Sequence, residues 1–278
     1  MQLQIRTLRK LLDDSFKEDY GIKGDITSEA MINAETQVNF AINARQNLIL
    51  CGVQIAQYYF DEYSSIKYKI HHTDSQTIKE NTVIISGSGF ATEILLLERI
   101  ILNYMQHMSG IATTTSQYVE LVKNTKAKIF DTRKTTPMLR QLQKYAVVCG
   151  GGYNHRLSLD SGILIKDNHI AICGSITKAL QKAKQYSPHY TRIEIECDTI
   201  EQVKESLIAG VDVIMLDNMS PEQIHQAVKL IDGRAIIEAS GNVSLDTVRD
   251  IAATGVDVIS VGKITHSATS VDIGLDII

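Results

Sequence analysis

The sequence lacks the features that mark several classes of protein. Its 278 residues include no apolar run of 18, so no transmembrane helix is expected. The charged residues 1–21 have no apolar segment typical of a signal peptide, and we therefore expect a cytoplasmic protein with no membrane partner. A net charge of −4 supplies no general basic field, which argues against nucleic acid as a partner.

Cysteine motifs and nucleotide-binding signatures are equally sparse. The four cysteines, at 51, 149, 173 and 197, form no CxxC pair, which argues against a zinc site and favours buried thiols in a reducing compartment. The P-loop pattern is absent. GSGFAT (87–92) has Thr92 in place of the third glycine of a dinucleotide-binding fingerprint, so a dinucleotide fold is not expected.

The C-terminal half contains an alternation of strand and helix patterns. GVDVI occurs at 210–214 and again at 255–259, which is the spacing of one repeated βα unit. Thr199 with Gln202, and Ser220 with Gln223, are typical of capping boxes at helix starts. The alternation predicts a parallel sheet, either closed as a small barrel or left open and doubly wound. The strands are predicted at 127–131, 162–167, 192–197, 211–217, 234–240 and 256–262.

The N-terminal part has a different pattern. It mixes strands such as VNFAINAR (38–45) with a long helical pattern over 91–110. We predict two domains, an α/β domain over 1–112 and a second domain over 113–278 that contains the alternating strands and helices. The last ~10 residues are expected to pack back on the N-terminal domain.

Chemically useful side chains follow the predicted C-terminal strands. Ligands of α/β barrels and open α/β sheets bind at the carboxyl ends of the strands, so these residues are candidates for a shared site. They are Asp131–Lys134, Lys166, Glu196, Asp217, Ser240–Asn242 and Gly262–Lys263. SGN (240–242) and VGK (261–263) are candidate phosphate cradles with backbone N–H groups free to face an anion, the alternative being plain tight turns.

The strand RIEIEC (192–197) predicts two inward carboxylates. Ile193, Ile195 and Cys197 share one face, so Glu194 and Glu196 lie on the other. A buried carboxylate needs a cation or a metal. Glu196 and Asp217 are therefore candidates for holding Mg²⁺ through waters and substrate oxygens, and the alternative is a structural ion pair with a lysine or an arginine.

Residues 131–169 carry an excess of positive charge. Six lysines and arginines face three aspartates there, which suits a polyanionic small molecule. Arg140 and Lys144 stand at helical spacing and are expected on a solvated face. The stronger candidates are Arg133, Lys134, Arg156 and Lys166.

At this point the sequence resembles a known family. The segments DTRKTTP, KYAVVCGGGYNHR, LIKDNH, IEIE, MLDNM, EASGN and VGKITHSA occur in the order and spacing of quinolinate phosphoribosyltransferase, also named nicotinate-nucleotide pyrophosphorylase (carboxylating). EDYGIKGDIT, ARQNLILCG and ERIILNYMQHMSGIAT extend the resemblance over nearly the whole chain.

The resemblance implies a fold and a reaction. The fold is an N-terminal α/β sandwich domain followed by an incomplete, TIM-like α/β barrel of six to seven strands, in a homodimer or higher oligomer with shared active sites. The enzyme is a pentosyltransferase that joins quinolinate to phosphoribosyl pyrophosphate (PRPP). Nicotinate mononucleotide, pyrophosphate and CO₂ are formed in a Mg²⁺-dependent step of de novo NAD synthesis.

The resemblance also implies roles for individual residues. Thr132 would bind substrate, and the quinolinate carboxylates and nearby phosphate would be held by Arg133, Lys134, His155, Arg156 and Lys166. Arg99 would reach the site of the partner subunit. Glu196 and Asp217 would face the ribose hydroxyls and Mg²⁺–pyrophosphate. The ribose 5′-phosphate would lie against Ser240, Gly241, Asn242, Val261, Gly262 and Lys263.

The resemblance suggests a mechanism in which Lys134, Lys166, Glu196 and Asp217 are catalytic. Glu196 or Asp217 would stabilise an oxocarbenium-like ribose, and Lys134 or Lys166 would assist loss of the carboxylate. One departure is Met138, where the family usually has glycine. Two other functions are weighed: a molybdenum-transport-linked relative, and a non-catalytic anion-binding protein on the same fold.

Overall fold

The computed structural model describes residues 3–278 and divides into two compact units. One unit comprises the described chain up to Ser116 together with Thr136–Gly151 and Ala268–Ile278. The other comprises Gln117–Thr135 and Gly152–Ser267. A single cut after residue 112 does not describe these units, because two later segments belong with the N-terminal one.

The first unit is an α/β sandwich, as expected. Its elements, numbered in chain order over the whole molecule, are α1 (Ile5–Tyr20), α2 (Ile26–Met31), β1 (Gln37–Ala44), β2 (Leu48–Ile49), α3 (Val53–Tyr63), β3 (Lys67–Ile70), β4 (Thr77–Ile78), β5 (Val83–Phe90), α4 (Ala91–Val122), α5 (Arg140–Cys149) and β12 (Ile273–Ile277). The main sheet is antiparallel in the order β12-β1-β5-β3, and β2 pairs with β4. Phe40 of β1 packs on Phe60 of α3 with ring centroids 5.7 Å apart.

The C-terminal residues are part of this sheet. β12 pairs antiparallel with β1, placing Ile277 opposite Phe40 and Ile273 opposite Ala44. Ile273 is 1 % exposed, so the strand contributes to the core as well as to the backbone ladder.

Helix α4 runs further than its sequence pattern predicts. The pattern indicates 91–110, whereas the helix continues to Val122, and its residues from Gln117 belong to the second unit. Gly110 does not end the helix, because it serves close packing. A Cβ at that position would lie 2.3 Å from the carbonyl oxygen of Thr269.

The expectation that Lys144 lies on a solvated face is wrong. Lys144 is fully buried on α5, while Arg140 is half-buried. The reason is that every residue from Leu142 to Val147 is buried, so α5 has no solvated stripe there for spacing to reveal.

The second unit is a ring of parallel strands with intervening helices. Its elements are β6 (Lys128–Phe130), β7 (Ile163–Ile165), α6 (Asp167–Cys173), α7 (Ile176–Tyr186), β8 (Ile193–Cys197), α8 (Ile200–Ala209), β9 (Val213–Asp217), α9 (Pro221–Ile231), β10 (Ile236–Ser240), α10 (Val248–Ala253), β11 (Val258–Ser260) and α11 (Lys263–His266). All six predicted strands are present.

The strand order distinguishes a barrel from a doubly wound sheet. The order is β6-β11-β10-β9-β8-β7, so the first strand pairs with the last and the rest follow in sequence. A doubly wound sheet reverses its order part-way, and this one does not. Tyr153 adds a parallel bridge to Phe130 on the outer edge of β6, which continues the ring toward a seventh strand. The barrel is therefore incomplete between that bridge and β7.

The predicted helix starts are confirmed. The Thr199 and Ser220 side chains each accept from the backbone N–H three residues on, and Gln202 and Gln223 reach back to the caps. Pro221 occupies the first helical position of α9. Across residues 3–278, no helix is both long enough and apolar enough to cross a membrane.

Candidate active site

The carboxyl ends of the barrel strands enclose one cavity of about 500 Å³. Nine of the predicted site residues line it, which confirms that the strand ends converge. The complete lining is Thr132, Arg133, Lys134, His155, Arg156, Leu164, Lys166, Asp167, Glu196, Asp198, Met215, Asp217, Glu238, Ser240 and Ser260.

Strand alternation decides which side chains reach the cavity. On β8, Ile193, Ile195 and Cys197 are buried, while Glu194 and Glu196 lie on the opposite face as predicted. Glu196 is in register with Met215 of β9, and Met215 with Glu238 of β10. All three of these side chains line the cavity, so they form one level of the barrel interior.

Two guanidinium groups form the cationic side of the cavity. Burial, and then repulsion from Arg133, lowers the pKa of Arg156. Arg156 Nη1 donates to the carbonyl of Gly162 at 2.8 Å, and Arg133 Nε is buried with no hydrogen-bond partner among residues 3–278. Two guanidinium groups that line one cavity and repel each other, with one N–H donor left over, indicate a binding site for an anion.

His155 contacts both Arg156 and two carboxylates of the barrel interior. Its Nδ1 accepts from the backbone N–H of Arg156 at 2.8 Å, so the ring proton is on Nε2. Nε2 lies 3.1 Å from Glu194 Oε2 and 3.6 Å from Glu238 Oε1. The backbone N–H of His155 donates to Asp131 Oδ1 at 2.8 Å, which holds the loop to the end of β6.

Four carboxylates, those of Asp167, Glu196, Asp198 and Asp217, form the acidic part of the cavity. Lys166 Nζ contacts Glu196 Oε1 directly, yet burial raises the pKa of Glu196, with Asp217 and Asp167 adding to the rise. The pKa of Asp198 is raised as well, by burial first and then by Asp217 and Asp167. With four carboxylates and one lysine, this part of the cavity has an excess of acidic groups, which favours a cation.

Ser240, Gly241 and Asn242 form a tight turn after β10. Gly241 and Asn242 have φ of 91° and 51°, in the left-handed region. A Cβ on Gly241 would lie 2.2 Å from Asn218 Oδ1. Asn242 Nδ2 donates to the same oxygen at 3.1 Å, so Asn218 of the preceding strand end supports the turn.

The VGK segment after β11 departs in part from the prediction. The backbone N–H of Val261 donates to the carbonyl of Phe130 at 2.9 Å, so it is not free to face an anion. This bond is a consequence of β6 and β11 being sheet neighbours, which the sequence did not reveal. Gly262 and Lys263 remain at the start of α11, where the first N–H groups have no acceptor within the helix.

Lys134 lies beside this segment. A Cβ on Gly262 would come 3.1 Å from Lys134 Cδ, so the glycine leaves room for the lysine stem. Thr265 Oγ1 donates to the backbone carbonyl of Lys134 at 2.8 Å. These contacts fix the position of Lys134 next to the candidate phosphate cradle.

Arg99 belongs to the first unit, on α4. Its side chain is 60 % exposed, and its guanidinium reaches Glu98 only at 3.9 Å. It is not among the cavity residues.

Sequence reasoning missed Glu238, Asp198 and Asp167 as site residues. Glu238 follows the same alternation as Glu196, since Ile237 and Ala239 are buried on the other face of β10. The two-residue alternation in RAIIEAS (234–240) could have identified Glu238 as an inward-facing residue. Asp167 and Asp198 directly follow Lys166 and Cys197, and no local signal separates them from ordinary turn aspartates.

Comparison with known proteins gives consistent matches. The description "Quinolinate phosphoribosyl transferase, N-terminal domain" matches residues 25–109, and the C-terminal domain of the same family matches residues 111–276.

Individual relatives agree over almost the full length. The chain is 43% identical over 273 residues to the probable nicotinate-nucleotide pyrophosphorylase (carboxylating) of Bacillus subtilis, covering 97% of this chain and 93% of that protein. It is 37% identical over 289 residues to a quinolinate phosphoribosyltransferase (decarboxylating) of Nicotiana tabacum, covering 97% and 82%. The crystal structure of nicotinate-nucleotide pyrophosphorylase from Ehrlichia chaffeensis superposes with a TM-score of 0.95 at 48% identity, covering 100% of both chains.

Proposed function

The chain belongs to the quinolinate phosphoribosyltransferase family, and we propose that the cavity of its second unit carries out the reaction of that family. The enzyme is a pentosyltransferase of de novo NAD biosynthesis. It transfers the phosphoribosyl group of PRPP to quinolinate, releasing pyrophosphate and CO₂ and forming nicotinate mononucleotide.

The arginine pair is the observation that carries the assignment of substrate to cavity. Within residues 3–278, neither Arg133 nor Arg156 is in an ion pair, although both line the cavity and repel each other. Quinolinate is a dianion with two adjacent carboxylates, and planar guanidinium groups suit carboxylates bidentately. Binding it would relieve the repulsion and supply the missing acceptor of Arg133 Nε. The role of His155 as a further carboxylate ligand stays a prediction.

The carboxylate side is suited to the other substrate. With quinolinate against the arginines, the ring nitrogen is placed to attack C1 of the ribose as pyrophosphate leaves. Positive charge then develops on the ribose, and Glu196 or Asp217 stabilises it electrostatically. The bond between the ring carbon next to the quaternised nitrogen and its carboxylate then breaks. CO₂ leaves, the electron pair stays on that carbon, where the adjacent positive nitrogen stabilises it, and a proton from solvent completes nicotinate mononucleotide. Lys134 or Lys166 orients that carboxylate and opposes the charge left on the ring.

The residues of this side fit Mg²⁺. They offer only oxygen atoms, which this ion prefers, and four carboxylates share the cavity with Lys166. Glu196 and Asp217 would hold the ion indirectly, through water or pyrophosphate oxygens. Bound Mg²⁺ supplies neutralising charge for the leaving pyrophosphate.

The ribose 5′-phosphate is assigned to the turns after β10 and β11. Ser240, Gly241 and Asn242 would contact it on one side, and Gly262 and Lys263 on the other. Lys134, which lies over Gly262, would then link the phosphate to the quinolinate end.

A homodimer or higher oligomer is part of the proposal. Arg99 is exposed on α4 and has no strong ion pair among the described residues, as expected of a side chain that completes the site of a partner subunit. A cytoplasmic location stays a prediction.

A coupled release assay tests the function. Protein with PRPP, Mg²⁺ and carboxyl-labelled quinolinate is expected to release labelled CO₂ and nicotinate mononucleotide in equal amounts, with no product from nicotinate. Lys134→Ala is expected to lower kcat by about 100-fold or more. Saturable PRPP binding without turnover would instead support a non-catalytic protein, and wild-type kcat in Lys134→Ala would refute the role of that lysine.

A further inference from the structure

Two cysteines far apart in sequence meet in the core of the first unit. Cys51 follows β2, and Cys149 ends α5, 98 residues later. Cys51 is 0 % and Cys149 7 % exposed. The ligand atoms of Cys51, Cys149 and Asp74 all lie within 4.8 Å of one another. No CxxC motif is involved, so the cluster exists only in the folded chain.

Each cysteine is followed by a glycine that packs against helix α4. A Cβ on Gly52 would lie 3.3 Å from Met105 Cα, and one on Gly150 would lie 2.3 Å from the carbonyl oxygen of Ala112. Ser109, also on α4, accepts from the N–H of Cys51 at 2.9 Å and donates to its carbonyl at 3.1 Å. The backbone at Cys51 is therefore fixed on both sides. The two thiols are held together by rigid backbone and do not depend on a flexible loop.

The carboxylate of Asp74 is also held in place, by two hydrogen bonds. Oδ1 accepts from the N–H of Val53 at 3.0 Å, and Oδ2 accepts from Tyr145 Oη at 2.8 Å. Each carboxylate oxygen has a second lone pair for a further partner. Among residues 3–278, no lysine, arginine or histidine forms an ion pair with Asp74. Two buried thiols and a half-buried carboxylate thus lie together without a cationic side chain of the described residues paired to the carboxylate.

A thiolate is the form in which cysteine binds metals, so a bound divalent cation would displace the two thiol protons.

We propose that Cys51, Asp74 and Cys149 bind a thiophilic divalent cation, zinc being the ion that their chemistry selects. Two thiolates with one carboxylate suit Zn²⁺, whereas Mg²⁺ prefers oxygen ligands alone. Zn–S bonds of about 2.3 Å place two thiolates roughly 3.8 Å apart, which is compatible with the 4.8 Å limit on the ligand atoms here. The fourth position goes to a water or to Tyr145 Oη, which already contacts Asp74.

The bound ion would tie three segments of the first unit together. Cys51 precedes α3, Asp74 lies just before β4, and Cys149 leads into Gly150 and Gly151 at the end of α5. Such a site is structural, and its occupancy does not depend on the phosphoribosyl transfer reaction.

Cobalt binding tests the proposal with a spectroscopic readout. Co²⁺ is titrated into reduced, metal-free, full-length protein in the absence of air. We expect one equivalent per chain to produce a thiolate-to-cobalt band in the near ultraviolet, which Zn²⁺ then abolishes. Cys51→Ser and Cys149→Ser should each retain about half of the band intensity or less and bind about tenfold or more weakly. Cys173→Ser, a partly exposed cysteine outside the cluster, is the matched control and should behave as wild type.

A second measurement requires no variant. Zn²⁺ should protect Cys51 and Cys149 of the wild-type protein from alkylation, as read by mass spectrometry, and leave Cys173 unprotected. The proposal is overturned if wild-type protein shows no thiolate band at one Co²⁺ per chain, or if Cys51→Ser leaves the band unchanged. It is also overturned if reduced protein takes up no metal and on exposure to air forms a Cys51–Cys149 disulfide instead.

Discussion

Replacing Glu238 with glutamine should make stability less dependent on pH. Glu238 is 3 % exposed, and burial, followed by the charge of Glu194, raises its pKa to about 8. In the unfolded chain the same group titrates near 4.5. Between these values the folded protein holds a proton that the unfolded chain has released. Stability therefore falls as the pH rises through this window.

The size of the effect follows from that window. The contribution of protonated Glu238 is fully present below the unfolded pKa and is lost as the pH approaches the folded pKa. Each pH unit inside the window changes the free energy of unfolding by about 1.4 kcal/mol. From pH 5 to pH 7 the wild type should lose about 2.5 kcal/mol of unfolding free energy that the glutamine variant keeps, since glutamine has no proton to lose.

Urea unfolding between pH 5 and pH 8 measures this difference. Any constant offset from the lost contact with His155 cancels, because only the change with pH is compared. The exposed Glu80→Gln is the matched control and should follow the wild-type slope. If the gap between wild type and Glu238→Gln is the same at pH 5 and pH 7, Glu238 is ionised throughout and the reasoning is refuted.

Three further substitutions, one of them with a control variant, test local features. Met138→Gly should stabilise by about 0.5–1 kcal/mol, because Met138 is 79% exposed and has a φ of 67°; a fall in the urea midpoint would contradict this. Gly241→Ala should raise the KM for PRPP about tenfold or more, because its Cβ would lie 2.2 Å from Asn218 Oδ1. Gly233→Ala shares the positive φ but has nothing within 4 Å, so it should cost stability and leave KM unchanged; equal KM in both variants would argue against the cradle. Ser220→Ala should cost about 1 kcal/mol through the lost cap of α9, and no change in urea unfolding would contradict its role.

The barrel strands and several helix starts were predictable because their signals are local. The alternation in RIEIEC depends only on the two-residue period of a strand, and it placed Glu194 and Glu196 correctly on the inner face. The caps of α8 and α9 depend on side chains three residues apart. The same alternation would have yielded Glu238 had it been applied to β10.

Other features were misjudged because they depend on distant partners. Gly110 suggested an interruption, but it admits the backbone of Thr269 against a continuous helix. The spacing of Lys144 suggested solvent, but α5 is buried on nearly all sides. The N–H of Val261 was expected to face an anion, but it donates to the carbonyl of Phe130 in β6.

The sequence alone determined the order of strands and helices and which residues of β8 face inward. It also determined that charged residues follow the strands. Each of these features depends only on covalent neighbours and on backbone periodicity. Only the tertiary structure showed that Arg133 and Arg156 line one cavity and that His155 Nε2 lies within ion-pair distance of Glu194 and Glu238. It alone brought Cys51 and Cys149 together beside Asp74. These contacts join residues from separate segments, and which segments meet is decided by how the sheets close and how the glycines pack, which no local pattern encodes.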